Sequence, residues 1–304
     1  TYKNKNYYDI IVNVLKRTVN IIMIRRFLNI MMLVNEEKCI GCGLCVKDCL
    51  LGCIKIKENK AKIRNLTCFK CGHCIAVCPK NAVYSDEYDM GEVKEYIEDN
   101  FKINSETLLN FMKFRRTTRQ FDISKEVEVE KIEKIIEAGR YAPTSSNMQN
   151  VSYIVVKENI QKLRVLALET LNKFGENILK SDNLKHKKYK AYAKMWMKMY
   201  NDFKSNKENS DKLLFNSSSL IFVLSDSDVN ASLASSNMEL MANSLGLGAL
   251  YSGFLVFAAK NSQEIREFLG ISDSNKIVTC MILGYPSVKY FRTVPRNGAN
   301  IIWK

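Results

Sequence analysis

Ten cysteines stand at positions 39, 42, 45, 49, 53, 68, 71, 74, 78 and 280 of the 304-residue sequence, and nine of them fall within forty residues. Thiolates form disulfides, attack as nucleophiles or bind metals, and their spacing separates these uses. Cys39, Cys42, Cys45 and Cys49 follow a C-x2-C-x2-C-x3-C step. Cys68, Cys71, Cys74 and Cys78 repeat it, and Pro79 follows. A zinc site uses two close pairs across a longer spacer. Four thiolates in one run, twice over, suit the four corners of an iron–sulfur cube instead. Cys53 and Cys280 have no ligand-like neighbours and read as small buried thiols.

The doubled run resembles a two-cluster bacterial ferredoxin. Three close thiolates on a tight loop wrap three corners of a [4Fe-4S] cube. The x3 step sends the fourth onto the following helical turn, so the two runs exchange their last ligand. One cluster takes Cys39, Cys42, Cys45 and Cys78, and the other takes Cys68, Cys71, Cys74 and Cys49. Gly41, Gly43 and Gly72 let backbone amides approach the sulfurs. Leu50 stands after Cys49 where proline follows Cys78, so that turn is less tightly set. Short strands at 54–56 and 82–84 trail the two runs, and residues 33–87 hold little other apolar mass. The clusters then serve as core, and metal assembly is folding energy.

The second chemical signal is Arg115-Arg116-Thr117-Thr118-Arg119-Gln120-Phe121. Guanidiniums and short hydroxyls packed this closely suit a phosphate, or form an ordinary basic helix end. A polar turn, Ala142-Pro143-Thr144-Ser145-Ser146-Asn147-Met148-Gln149, follows a helix expected over 129–140 and leads into a strand at 152–157. It is a surface loop or one that faces a ligand. Apolar spacing predicts further helices over 160–180 and 232–245, another capped by Asn261 or Ser262, and strands at 220–224 and 277–283. Residues 181–212 hold nine lysines and four acids among aromatic and methionine residues, which predicts a helix with its lysines in water. The whole is α+β, and no G-x-G-x-x-G dinucleotide fingerprint occurs.

Together with Leu245-Gly246-Leu247-Gly248, Tyr251-Ser252-Gly253-Phe254 and Leu283-Gly284-Tyr285-Pro286, these segments resemble the FMN-dependent nitroreductase family over about 111–304. The whole chain is similar to clostridial-type fusions of a ferredoxin with a nitroreductase, in keeping with an Asn-, Ile- and Lys-rich anaerobe. The resemblance implies a mostly antiparallel sheet flanked by helices, and a homodimer with FMN at the subunit interface. It implies that Arg115, Arg116, Thr117 and Arg119 hold the phosphate and ribityl end, joined by Arg296 and Arg292 of the tail. Pro143, Thr144, Ser145 and Asn147 line the isoalloxazine and ribityl side from the partner subunit. The backbone at Ser252 and Gly253 faces the flavin N5 edge. Thr117 and Thr144 replace the usual serines, and Asn150-Val151 replaces a frequent Pro-Trp. No catalytic side chain is implied.

The implied activity carries electrons from a low-potential donor through two [4Fe-4S] clusters to FMN, which reduces a nitroaromatic, quinone or activated alkene. Ferredoxin, flavodoxin or NAD(P)H is the donor. The alternatives are an electron-transfer protein without its own substrate, or a specialised flavin reductase or dehalogenase. The domains are expected as an extension over 1–32, the ferredoxin-like domain over 33–87, a linker helix over 88–110 and the FMN domain over 111–304. The net charge of +14 lies mostly outside the cysteine region, because 36–87 carries nine basic and six acidic residues. It admits nucleic acid or an anionic surface as partner, but the spacing of the basic residues argues for neither. The N-terminal segment is apolar but broken by Lys16, Arg17, Arg25 and Arg26, too often for a span of about 20 residues. A cytoplasmic protein is expected.

Overall fold

A computed structural model describes residues 31–181, 183, 188–205, 211–272 and 276–304. Of the expected extension over 1–32, residues 1–30 lie outside the described residues, as do parts of the lysine-rich segment. The described chain forms two compact units. One holds residues up to Lys102 together with Ser146–Met148, and the other holds Ile103–Ser145 and Gln149–Lys304.

The first unit is a small doubled structure. Strand β1 (Met32–Val34) leads to the first cysteine run, whose end forms helix α1 (Leu44–Asp48). Strands β2 (Ile54–Lys57) and β3 (Lys60–Ile63) form an antiparallel hairpin. The second run forms α2 (His73–Ala76) and leads to β4 (Val83–Ser85), which pairs with β1. Gly43 and Gly72 cap α1 and α2 at φ +75° and +76°, a left-handed turn that side-chain-bearing residues enter at a cost. The buried apolar cluster here has nine residues, and four of them are cysteines. The expected poverty of apolar core is therefore present. The bridge expected over 88–110 is only partly helical. It has a single turn at Met90–Glu92, the short α3 (Glu98–Phe101) and the start of α4 (Ser105–Phe114).

The second unit is built on an antiparallel sheet of order β5-β6-β8-β7: β5 (Ser152–Val156), β6 (Ser219–Leu224), β8 (Ile277–Gly284) and β7 (Gly248–Tyr251). Strand β6 is buried along its whole length. Its alternation separates two cores, as a period of two requires. Leu220, Phe222 and Leu224 face one cluster, and Ile221 and Val223 face the other. The first face is covered by α6 (Ile160–Lys180), α7 (Lys190–Lys204), α9 (Gly253–Lys260) and α10 (Gln263–Phe268). The second is covered by α5 (Val129–Arg140) and α8 (Asp228–Ser244). Helix α7 buries Ala193, Trp196 and Met199 and leaves Lys194 and Lys198 exposed, as the sequence pattern implies.

Two elements of this unit depart from the sequence expectation in an instructive way. Strand β7 looks like a glycine-rich loop in sequence, yet it pairs with β8 from Gly248↔Gly284 to Tyr251↔Met281. Helix α8 starts four residues before its expected position because the Ser227 hydroxyl accepts the Asn230 amide and caps it. Gly248 also lies against Thr118: a Cβ there would come within 2.6 Å of the Thr118 Oγ1. Thr118 is buried and cannot yield freely. Gly248→Ala should therefore destabilise the protein by about 1–3 kcal/mol, the usual cost of overpacking. Chemical denaturation of the two proteins measures it.

Candidate functional site

The cysteines gather as two groups. Cys39, Cys42, Cys45 and Cys78 ring one cavity, whose wall is completed by Ile56, Ala61, Pro79 and Lys80 among others. Three thiols of the first run and the last of the second thus share one space. Burial pushes the Cys45 thiol up, and the neighbouring thiols of Cys39, Cys42 and Cys78 push it further. In the other group, burial raises Cys74 to about 12, with Cys68, Cys71 and Cys45 adding. Cys68 is raised first by burial and then by Cys53, Cys71 and Cys49.

Backbone amides point at the sulfurs. Ala61, Cys53, Lys70 and Ala82 donate to the Sγ atoms of Cys39, Cys49, Cys68 and Cys78, each at 3.3 Å. Such donors stabilise negative charge on the sulfurs. Among the described residues, no three Cys, His, Asp or Glu side chains are placed to hold one ion. The thiols surround a space instead, which fits a group with several metal atoms at separate corners. Cys53 is buried beside the second group, with its Sγ 3.4 Å from the Thr67 hydroxyl. Cys280 is a buried core thiol on β8, raised by burial.

In the second unit the arginine segment is an added edge on the sheet. Thr117 bridges Ala249 of β7, and the Thr118 amide donates to the Ala249 carbonyl at 2.9 Å. Further on, Phe121 bridges Pro286, and the Asp122 amide donates to the Tyr285 carbonyl. This register places 115–119 beside strand β7, which leads into Ser252 and Gly253. The Ser252 hydroxyl accepts the Leu255 amide and caps α9. A Cβ on Gly253 would meet no atom within 4 Å, so the space before that helix end is open.

The arginines differ in their surroundings. Arg115 donates from Nη1 to Glu239 Oε1 at 2.7 Å, and its buried Nε has no hydrogen-bond partner. Arg116 lies over the Tyr290 ring at 4.4 Å and donates to the Arg292 carbonyl, and its Nε is also orphaned. Arg119 is exposed and forms no ion pair among the described residues. Arg292 and Arg296 are exposed on the tail. Glu239 escaped the sequence reading. Its partner is 124 residues away, and a lone Glu in a helix of small residues carries no local signal.

The turn after α5 is divided. Pro143 is exposed, Thr144 Oγ1 accepts the Gln149 amide at 3.0 Å, and the Ser145 amide donates to Asn230 Oδ1 at 3.4 Å. Asn147 belongs to the first unit, where its amide donates to the carbonyls of Phe69 and Lys70 at 3.2 and 2.9 Å. Its expected place along a flavin therefore competes with these two bonds. Asn230 and Glu239 lie nine residues apart on α8, about 13.5 Å at 1.5 Å per residue. Within one chain, the turn and the arginine segment are thus anchored well apart on the same helix.

The nitroreductase family profile matches residues 112–285, more than half of the chain. The chain belongs to the nitroreductase family. A 4Fe-4S dicluster domain profile matches residues 38–82, so a ferredoxin-type domain precedes the nitroreductase-family domain, as expected. The first domain is similar to a 7Fe ferredoxin of Hydrogenibacillus schlegelii, 39% identical over 66 residues, which are 21% of this chain and 85% of that ferredoxin. It is also similar to one component of an ion-translocating oxidoreductase complex of Methanosarcina acetivorans, 44% identical over 48 residues, or 16% of this chain. The chain spans only 18% of that component's length. Among solved structures, a nitroreductase with bound FMN from Bacteroides fragilis is 22% identical, with 66% of this chain and 100% of that chain covered, at a TM-score of 0.48. A BluB-like flavoprotein from Clostridium difficile is 18% identical, with 62% and 94% covered, at a TM-score of 0.48. Among the described residues no helix of this nitroreductase-family chain is long and apolar enough to cross a membrane.

The Arg115–Glu239 pair of this nitroreductase-family chain is partly enclosed, with side chains 30% and 11% exposed. Breaking a fully buried pair costs about 3–5 kcal/mol. Partial exposure of Arg115 reduces this, and Glu239→Ala should destabilise the protein by about 1–3 kcal/mol. Arg115→Met with Glu239→Leu should recover part of that loss. Denaturation of the single and double variants tests both.

Proposed function

We propose that this chain is an oxidoreductase that accepts single electrons at two [4Fe-4S] clusters from a low-potential donor, ferredoxin or flavodoxin, and delivers electron pairs from FMN to a nitroaromatic, quinone or activated alkene. The observation that carries this reading is the sharing of one cavity by Cys39, Cys42, Cys45 and Cys78, in a chain whose larger part belongs to the nitroreductase family. FMN stores two electrons and gives them up as a hydride, which is the chemistry needed to join one-electron carriers to a two-electron acceptor.

The chain's own residues fit both groups. Cys39, Cys42, Cys45 and Cys78 hold one cluster, and Cys68, Cys71, Cys74 and Cys49 hold the other. The four amide-to-sulfur bonds hold the sulfurs in place and favour their negative charge. All eight ligand cysteines are present, so eight irons are assigned here, although the ferredoxin of Hydrogenibacillus schlegelii is a 7Fe protein.

For FMN, Arg119 supplies the exposed guanidinium and Thr117 the hydroxyl at the phosphate, with Arg296 and Arg292 adding positive charge from the tail. The orphaned Nε atoms of Arg115 and Arg116 are buried donors suited to an anionic or carbonyl oxygen. Glu239 holds Arg115 in place. The open space before Gly253 suits a flat ring system approaching the α9 end. Pro143, Thr144 and Ser145 serve the FMN of the partner subunit in a homodimer. The anchorage of Ser145 at Asn230, about 13.5 Å from Glu239 along α8, supports that assignment.

Two outcomes are expected. Anaerobically purified protein should carry about eight irons and about eight sulfides per chain, and Cys53→Ala should retain them. Chemical analysis showing about four irons, or zinc instead, would remove the two-cluster reading. Arg119→Ala should weaken FMN binding by about 1.5–3 kcal/mol, the size of a charged hydrogen bond. Riboflavin, which lacks the phosphate, should bind the variant and the parent alike in fluorescence titration. An equal loss for both ligands would show that Arg119 does not meet the phosphate.

A further inference from the structure

The two halves of the first unit correspond residue by residue. Ile54 pairs with Ile63 as Val83 pairs with Val34. The Arg64 amide donates to the Cys53 carbonyl as the Asn35 amide donates to the Ala82 carbonyl. The amides of Cys53 and Ala82 donate to the sulfurs of Cys49 and Cys78, each four residues earlier. Carried along the strands, this correspondence puts Met32 in the place of Ala61 and Met31 in the place of Lys60. Two residues after the fourth cysteine it puts Leu51 in the place of Lys80.

The halves thus match in backbone and differ in charge. Lys60 donates from Nζ to the carbonyl oxygen of buried Cys39 at 2.7 Å. The next residue, Ala61, donates its amide to the Cys39 Sγ. Strand β3 therefore grips Cys39 at both its carbonyl and its sulfur. Lys80 lines the same cavity. Glu36, a carboxylate that feels Lys60, is already bound by Lys62. The second half has its own lysine, Lys70, in the place of Gly41, but there it is the backbone amide that meets the sulfur of Cys68.

We propose that Lys60 is a positioning residue that raises the reduction potential of the cluster ringed by Cys39, Cys42, Cys45 and Cys78. A cluster gains negative charge on reduction, and an ammonium fixed beside one ligand favours that reduced form. Met31, the corresponding residue at the other cluster, supplies no such charge. The inference rests on the iron–sulfur reading above and concerns one residue's effect within it.

The test is an anaerobic redox titration of the full-length chain, followed by electron paramagnetic resonance, with iron counted in every sample. In the parent, two one-electron waves and about eight irons are expected. Lys60→Gln keeps a donor for the Cys39 carbonyl and removes the charge, and Lys60→Met removes both. Each should keep its iron and move one wave to lower potential by about tenfold in the reduction equilibrium, or about 59 mV, with the other wave fixed. Lys60→Arg should leave both waves in place. Unmoved waves in Lys60→Gln, or equal movement of both, would overturn the proposal. So would loss of half the iron from Lys60→Gln and Lys60→Met alone, because Lys60 would then only hold the loop. A parent protein without two waves would instead contradict the cluster reading itself.

Discussion

The folding of the first unit depends on one geometric constraint: a short cysteine run cannot enclose a four-cornered group alone. Its first two thiols precede a short helix, its third lies on that helix, and its fourth follows the helix end. The cavity shared by Cys39, Cys42, Cys45 and Cys78 draws its fourth thiol from the second run. The paired strands β1–β4 and β2–β3 then become necessary, because they hold the two loops in register. With four cysteines among the nine residues of its buried apolar cluster, the unit has little other apolar core to stabilise it.

In the second unit the corresponding constraint is the β7 edge. Four residues of strand hold together the arginine segment, the α9 cap and, through Glu239 of α8, the Arg115 side chain. Sheet hydrogen bonding positions the backbone, and one ion pair fixes the guanidinium. Residues 115–119 and 252–253 are brought to one edge in this way, whereas Ser145 is anchored elsewhere on α8. In the proposed function a second copy of the chain completes the flavin site from these pieces.

Much of this was legible in the sequence, for identifiable reasons. The cysteine step is set by coordination chemistry, so it survives without any knowledge of the fold. The buried strand β6 and the helices α5 and α6 were legible from period alone, because one hydrophobic pattern fits each. Strand β7 was not legible. Gly248 and Ala249 have little intrinsic strand preference, and they are extended because β8 and Thr118 flank them. Glu239 was missed because its partner comes from another part of the chain. The family resemblance implied a flavin-lining place for Asn147, yet its side chain is held by the carbonyls of Phe69 and Lys70. Local composition does not report such distant partners.

The central claim is that electrons reach the flavin by way of the cysteine-bound clusters. Anaerobic stopped-flow mixing of the oxidised full-length protein with reduced ferredoxin, following iron–sulfur and flavin absorbance separately, tests it most directly. The iron–sulfur signal should change first, and flavin bleaching should follow it. Cys78→Ser, with its FMN content unchanged, should bleach at least about tenfold more slowly, as expected when one carrier is lost. Flavin bleaching at the parent rate in Cys78→Ser, with no preceding iron–sulfur phase, would show that electrons reach the flavin by another route.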